Sequence, residues 1–227
     1  MLQDKVIVVT GASGALGKVV AETALTRGGR VAGIDYAPSQ IQPTERRLEL
    51  GGVDLTDAAQ AARAIDQVAA HFGRLDALVN IAGGFAFEMV AEGDPKTWQR
   101  MYALNVTTAL NASRAAIPHL LNSAAARIVN VGAFGAIHAG AGMGAYAASK
   151  AGVHRLTEAL AAEQKGRITV NAVLPSIIDT AANRASMPKS DFTKWVAPHE
   201  LAEVILFLAS DAASAVTGAL LPVTGRV

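Results

Sequence analysis

Short apolar runs set apart by longer alanine-rich stretches give this chain its pattern. Residues 6–10, 30–35, 77–80, 127–131, 169–174 and 219–223 are such runs. They are rich in Val, Ile, Leu and Ala and show little polar alternation, as expected of strands covered on both faces. Residues 48–54 supply one more short strand, giving seven. Between them, residues 18–26, 57–72, 97–123, 145–164 and 198–210 read as helices, with alanine the commonest helix former among them. Strand and helix alternate along the whole chain, which predicts an α/β fold with one doubly wound, seven-stranded parallel sheet and helices on both faces. A length of 227 residues fits a single domain, residues 1–227, with a well-buried core. The helices at 146–164 and 198–210 are notably apolar, and two readings stay open for them: burial against the sheet, or subunit interfaces.

The first strand runs directly into Gly11-Ala-Ser-Gly-Ala-Leu-Gly17. A strand, a glycine-rich turn and a helix form the first half of a Rossmann dinucleotide-binding unit, in which backbone N–H groups and a helix N-terminus face a pyrophosphate. Glycine serves there because a Cβ would block the approach of the phosphates. The second strand ends at Asp35, about 20 residues past the turn, where a carboxylate accepts hydrogen bonds from the adenosine ribose. An acid at this point repels a 2′-phosphate, so the expected cofactor is NAD(H), favoured over NADP(H). Arg46 and Arg47 lie near enough in sequence to fold back and reverse that preference.

Tyr146-Ala-Ala-Ser-Lys150 puts a phenol and an ammonium four residues apart, on one face of a helix. A free tyrosine titrates near 10, and an adjacent cation stabilises the phenolate. The pair is therefore a candidate proton donor with its tuner.

Composition narrows the field. Lys and Arg total 20 against 19 Asp and Glu, for a net charge of +1. No nucleic-acid footprint and no polybasic membrane patch is expected from that balance. The absence of cysteine excludes disulfides and thiolate nucleophiles. No apolar run reaches the roughly 18 residues of a membrane span, and the opening residues lack a signal-peptide layout. The expectation is a cytoplasmic enzyme with a small-molecule substrate, no metal, no nucleic-acid partner and no membrane partner.

With both ends in view, the chain resembles the short-chain dehydrogenase/reductase family over essentially its full length. Residues 10–17 look like the family's coenzyme turn, in which Gly11, Ser13, Gly14, Ala15, Leu16 and Gly17 contact the dinucleotide. Asp54 and Leu55 look like the pair beside the adenine ring. Asn80-Ile-Ala-Gly83 is similar to the Asn-Asn-Ala-Gly segment, which implies cofactor contacts from Asn80, Ala82 and Gly83. Val131 closes the fifth strand, and Pro175, Ile178 and Thr180 resemble the loop that embraces the nicotinamide amide. Asn105 matches the asparagine that holds a water beside the lysine. The resemblance implies an NAD(P)H-dependent oxidoreductase that moves hydride to or from a small carbonyl, imine or quinonoid substrate. Tyr146 is then acid/base, while Lys150 and Asn105 support it and Tyr146 and Lys150 also touch the cofactor. It implies a homodimer or homotetramer as well.

Three departures qualify the match. The glycines run Gly-x-x-Gly-x-x-Gly, with Ala15 where a second glycine is usual. Ile81 replaces the second asparagine. Ala133 stands thirteen residues before Tyr146, where the family has a serine to polarise the substrate carbonyl, and alanine donates nothing. The combination is similar to the dihydropteridine reductase branch, whose quinonoid acceptor carries its own directing groups. Either the substrate needs no such donor, or His138 in the loop 135–144 reaches it. Phe134 and Met143 offer apolar contact to a flat substrate. Phe85 and Phe87 line the cleft or staple the next helix, and in the lid 181–195 either Trp195, Phe192 and Met187 cover a planar ligand or, the favoured reading, Trp195 is a packing anchor. A non-enzymatic alternative, an NAD(H)-binding sensor or scaffold, needs no tuned phenol.

Overall fold

The computed structural model describes residues 2–226. In chain order the main elements are β1 (Val6–Thr10), α1 (Ala15–Thr26), β2 (Arg30–Ile34), β3 (Arg47–Leu50), α2 (Ala58–Phe72), β4 (Ala77–Asn80) and α3 (Pro95–Tyr102). They continue with α4 (Thr108–Leu120), β5 (Ala126–Val131), α5 (Gly144–Glu163), β6 (Ile168–Pro175), α6 (Ala181–Ser186), α7 (Pro198–Leu208) and β7 (Leu220–Val223). The strands make one sheet in the order β3-β2-β1-β4-β5-β6-β7, every pair parallel. The sequence pattern predicted this single-domain, seven-stranded Rossmann architecture.

Side chains on successive strand residues serve opposite layers. Ile7 and Val9 join the core under α1 and α7, while Val6 and Val8 join the core under α2 and α4. Each such fully buried aliphatic side chain contributes roughly 1.5–3 kcal/mol relative to exposure. On α7, Leu201, Ala202, Ile205, Leu206 and Leu208 are all buried. Of the two readings for that helix, burial against the sheet therefore accounts for most of its apolar surface.

Two helices differ from the sequence expectation. The stretch 97–123 is not one continuous helix. It starts earlier, at Pro95, where the Asp94 carboxylate accepts from Lys96 N, and its regular winding is interrupted by a π-turn at Ala103–Thr107. Periodicity cannot reveal that turn, because its cause is tertiary. The Asn105 amide is drawn to the backbone of Gly84, accepting from its N–H at 2.9 Å and donating to its carbonyl at 3.1 Å. The short α6 was not anticipated; Thr180 caps it by accepting from Asn183 N.

The β2–β3 crossover is irregular from residue 35 to residue 46, where parallel neighbours are usually joined through a helix. Polar side chains brace that side of the sheet edge instead. Arg47 bridges Glu22 of α1 at 2.7 Å and Glu49 at 2.9 Å. The Glu49 carboxylate lies over Gly33, in space a β-carbon would occupy. Arg46 reaches the carbonyls of Leu25 and Gly29 at the end of α1.

Candidate active site

The sheet order reverses between β1 and β4, so the loops leaving these neighbours separate and open a crevice at their carboxyl ends. Thr10 ties the two loops at the base: its hydroxyl oxygen accepts from Ile81 N and Ala82 N, both at 3.1 Å. Gly11 takes φ +67°, and a Cβ there would sit 2.9 Å from the Ala82 backbone. No side chain caps the first turn of α1, which leaves its N–H groups open to an anion. Above lies a cleft of about 720 Å³ lined by Gly11, Ser13, Gly14, Ala15, Leu16, Gly17, Asp35, Asp54, Leu55, Ala82 and Gly83. Most of the cofactor contacts expected from the sequence thus share one wall. Tyr36, Thr56, Leu104 and Thr108 join them, and sequence reading had not singled these out.

At one end of the cleft, Asp35 accepts from Ser13 N at 2.9 Å and from Ala37 N at 2.8 Å. The carboxylate is thereby locked beside the glycine turn. Arg46 and Arg47 do not fold back toward it, since both are engaged in the sheet-edge brace. Asp54 accepts from the backbone N–H and the hydroxyl of Thr56. Asn111 of α4 holds the same loop by donating to the carbonyls of Leu55 and Thr56, each at 3.0 Å.

Asn80 does not face the cleft. It is buried beneath, donating to Ser113 at 3.1 Å and to Asn130 at 2.8 Å, so its side chain supports the loop rather than lining it. Ile81 is partly buried, packing against the core under α1 and α7 while also lining the cleft, which accounts for an apolar residue in place of a second asparagine. Pro175 ends β6 and Ile178 and Thr180 follow it at the same sheet edge, but all three lie outside this cleft wall. Ile178 instead pairs with Val196.

Tyr146 and Lys150 stand one turn apart on α5, outside the cleft lining itself, with Lys150 next to Gly83 of that lining. Lys150 is buried and donates to the Val131 carbonyl at 2.8 Å. Asn105 donates to Ser149 Oγ at 2.9 Å, and Ser149 in turn donates to the Tyr146 carbonyl at 2.7 Å. A Cβ on Gly83 would run into Asn105 Oδ1 and come within 3.5 Å of Lys150 Nζ. The bare glycine leaves room beside the ammonium.

The electrostatics depart from the expected tuning. Burial pushes the Tyr146 phenol up to about 12 and the Lys150 ammonium down to about 8. Each shift follows from desolvation of the charged form. Lys150 directs its hydrogen bond at a carbonyl, and desolvation alone governs the phenol. At neutral pH Tyr146 is therefore a protonated donor.

Around this pair, the Phe85 ring stands edge-on to Tyr146 with centroids 4.9 Å apart. Phe87 covers Gly142. Ala133 is 5% exposed, and its N–H is committed to His154 Nε2 at 3.3 Å. Residue 133 thus offers no donor from either side chain or backbone. His138 is an exposed loop residue, with no contact that brings it to Tyr146. Phe134 is exposed at the same rim, and Trp195 is buried against Phe192, a packing anchor. Among the described residues, no group of three or more His, Asp or Glu side chains is placed to hold a metal ion. No helix there is long and apolar enough to cross a membrane.

The cradle fits a dinucleotide: an uncapped helix start behind a side-chain-free turn, a fixed carboxylate at one end, and an open glycine beside a buried lysine at the other. Comparison with known proteins agrees. The family described as short chain dehydrogenase matches residues 5–191. The 2-(S)-hydroxypropyl-CoM dehydrogenase 3 of Xanthobacter autotrophicus is 33% identical, over 99% of this chain and 96% of its own. Carveol dehydrogenase of Mycobacterium avium, solved in complex with NAD, superposes with a TM-score of 0.86 at 27% identity, covering 98% of this chain and 97% of that one. A short-chain dehydrogenase of Shigella flexneri, complexed with NADP, gives 0.87 at 26%, covering 97% of each. The chain belongs to the short-chain dehydrogenase family of NAD(P)-dependent oxidoreductases.

Proposed function

We propose that this protein is an NAD(H)-preferring reductase of small, flat, electron-poor acceptors, a quinonoid or imine centre before a simple ketone, and that it stands nearest the dihydropteridine reductase branch. The observation that carries the substrate reading is residue 133. A methyl group and a committed N–H leave the Tyr146 hydroxyl as the one donor identified beside the reacting atom. One pre-aligned donor at a developing oxyanion is worth on the order of 3 kcal/mol, so acceptors that carry their own electron-withdrawing groups are favoured over plain ketones. The exposed rings of Phe85 and Phe134 supply flat apolar contact at that rim.

The bound nicotinamide supplies hydride in the reductive direction. Tyr146, held protonated by burial, gives its hydroxyl proton to the substrate heteroatom. Lys150, beside Gly83, would hydrogen-bond the nicotinamide ribose, and Asn105 would order the proton path behind it. Val131, Pro175, Ile178 and Thr180 would hold the nicotinamide end, and Asp54 and Leu55 the adenine. Asp35 accepts hydrogen bonds from the ribose hydroxyls, and its charge disfavours a 2′-phosphate. The engagement of Arg46 and Arg47 elsewhere supports that preference. We further propose that the chain works in the cytoplasm as a homodimer or homotetramer, a reading supported by the exposed rings of Trp98 and Tyr102 on α3.

The test is NADH and NADPH oxidation at about 340 nm against quinonoid dihydropterin and a panel of ketones, aldehydes and quinones. Fast NADH turnover on pterin or quinone, slow turnover on ketones, and a gain on ketones from Ala133→Ser are expected. Ketone activity that Ala133→Ser leaves unchanged overturns the substrate reading. Silence with every acceptor, together with NADH binding, overturns the enzyme.

A further inference from the structure

Lys150, His154 and Thr157 form one stripe along α5, at spacings of four and three residues, and each holds the end of β5. Lys150 donates to the Val131 carbonyl, the Ala133 N–H donates to His154 Nε2, and Asn130 donates to Thr157 Oγ1 at 2.8 Å. Between the first two contacts lies Gly132. A Cβ there would stand 2.5 Å from His154 Nε2 and 2.7 Å from its Cδ2, so the imidazole rests directly on the backbone. His154 itself is 4% exposed.

We propose that His154 is a positioning residue for hydride transfer: its neutral imidazole, accepting at Nε2, pins the turn at residues 131–133 so that Lys150 and Tyr146 keep their register with the cleft. The proposal rests on the reading that Tyr146 and Lys150 carry the chemistry. Its physical content is a choice of tautomer. An acceptor at Nε2 requires the ring proton on Nδ1. A second proton at Nε2 would set two donors face to face, freeing the Ala133 N–H and loosening the strand end that Lys150 grips.

The charged groups acting on the ring are Arg155 and Lys150, both cations of α5. From the turn after β5 it meets Gly132 and Ala133, and Leu174 of β6 approaches the same glycine; none of these titrates. Burial first and the two cations second hold the imidazole below its usual titration range. The contact is intact at neutral pH and breaks on acidification.

The experiment compares wild type, His154→Leu and His154→Gln, with quinonoid dihydropterin or the fastest acceptor of the panel. It reads kcat, the Kd for NADH and the pH profile of kcat. His154→Leu is expected to lower kcat roughly ten- to a hundredfold with NADH Kd within about threefold. His154→Gln keeps an acceptor for the Ala133 N–H. It is expected to recover most of kcat and to lose the acid-side fall of the wild type, because an amide does not titrate. A Leu variant with wild-type kcat, or a Gln variant that keeps the acid limb, overturns the proposal. If the Leu variant fails to fold, the Gln pH profile alone decides. Tyr146→Phe run alongside separates the two layers: if it retains turnover, the assignment of the chemistry itself falls.

Discussion

At the residue scale the governing effect in this site is burial. It lifts the Tyr146 phenol, already protonated at neutral pH, further from ionisation and makes the Lys150 ammonium costly. Tyr146→Phe should reduce turnover by roughly 10²–10⁴-fold while NADH affinity, read by fluorescence titration, stays within a few-fold. Comparable loss of both would contradict a proton-donor role. Asp35→Ala removes an acceptor for ribose hydroxyls, and a hydrogen bond to a charged group contributes about 1.5–3 kcal/mol. NADH KM should rise at least tenfold, with NADPH KM unchanged or lower. Tyr146, Lys150 and Asp35 were legible in the chain because spacing and sequence neighbours suffice to find them. The pKa directions of Tyr146 and Lys150 were not, because four residues of helix spacing say nothing of how much water remains around an ammonium. His154 sits one turn beyond Lys150, so its stripe was visible, but the partner it meets depends on the register of α5 against β5.

At the scale of elements, strands were the most legible part, since apolar runs bounded by turn residues are local signals. The π-turn at Ala103–Thr107 and the placement of Asn80 were not, for both answer to distant groups: the Gly84 backbone in one case and Ser113 and Asn130 in the other. Asn105→Ala strands the Gly84 N–H and carbonyl and should cost about 1–3 kcal/mol, measured by urea unfolding, with turnover reduced about tenfold or more. An unchanged midpoint would mean the π-turn is held by packing alone. The edge brace gives a parallel case. The Glu49 side chain is only 7% exposed, and Arg47→Ala leaves its carboxylate without that partner. A loss of about 1–2 kcal/mol is expected, partly restored by adding Glu49→Gln.

For the whole molecule, the buried lysine makes stability depend on pH. Its folded value, about 8, lies below the ordinary 10.5, so between these limits the unfolded chain binds more protons and stability rises with pH. Below pH 8 the full penalty applies. Lys150→Met should therefore abolish most turnover yet raise stability at pH 7 by roughly 1–3 kcal/mol, an advantage that shrinks as the pH approaches 10. Urea midpoints at pH 7 and pH 9.5 check both the sign and the trend. Stability and the proposed chemistry thus pull against each other at one ammonium. The helix-free crossover from residue 35 to residue 46 carries the last consequence. It begins at Asp35, the carboxylate proposed to meet the ribose. Its backbone amides should exchange with deuterium faster than those of the strands it joins. Saturating NADH should slow that exchange, and NADPH should slow it far less, turning a loose connection into a direct reporter of which coenzyme is bound.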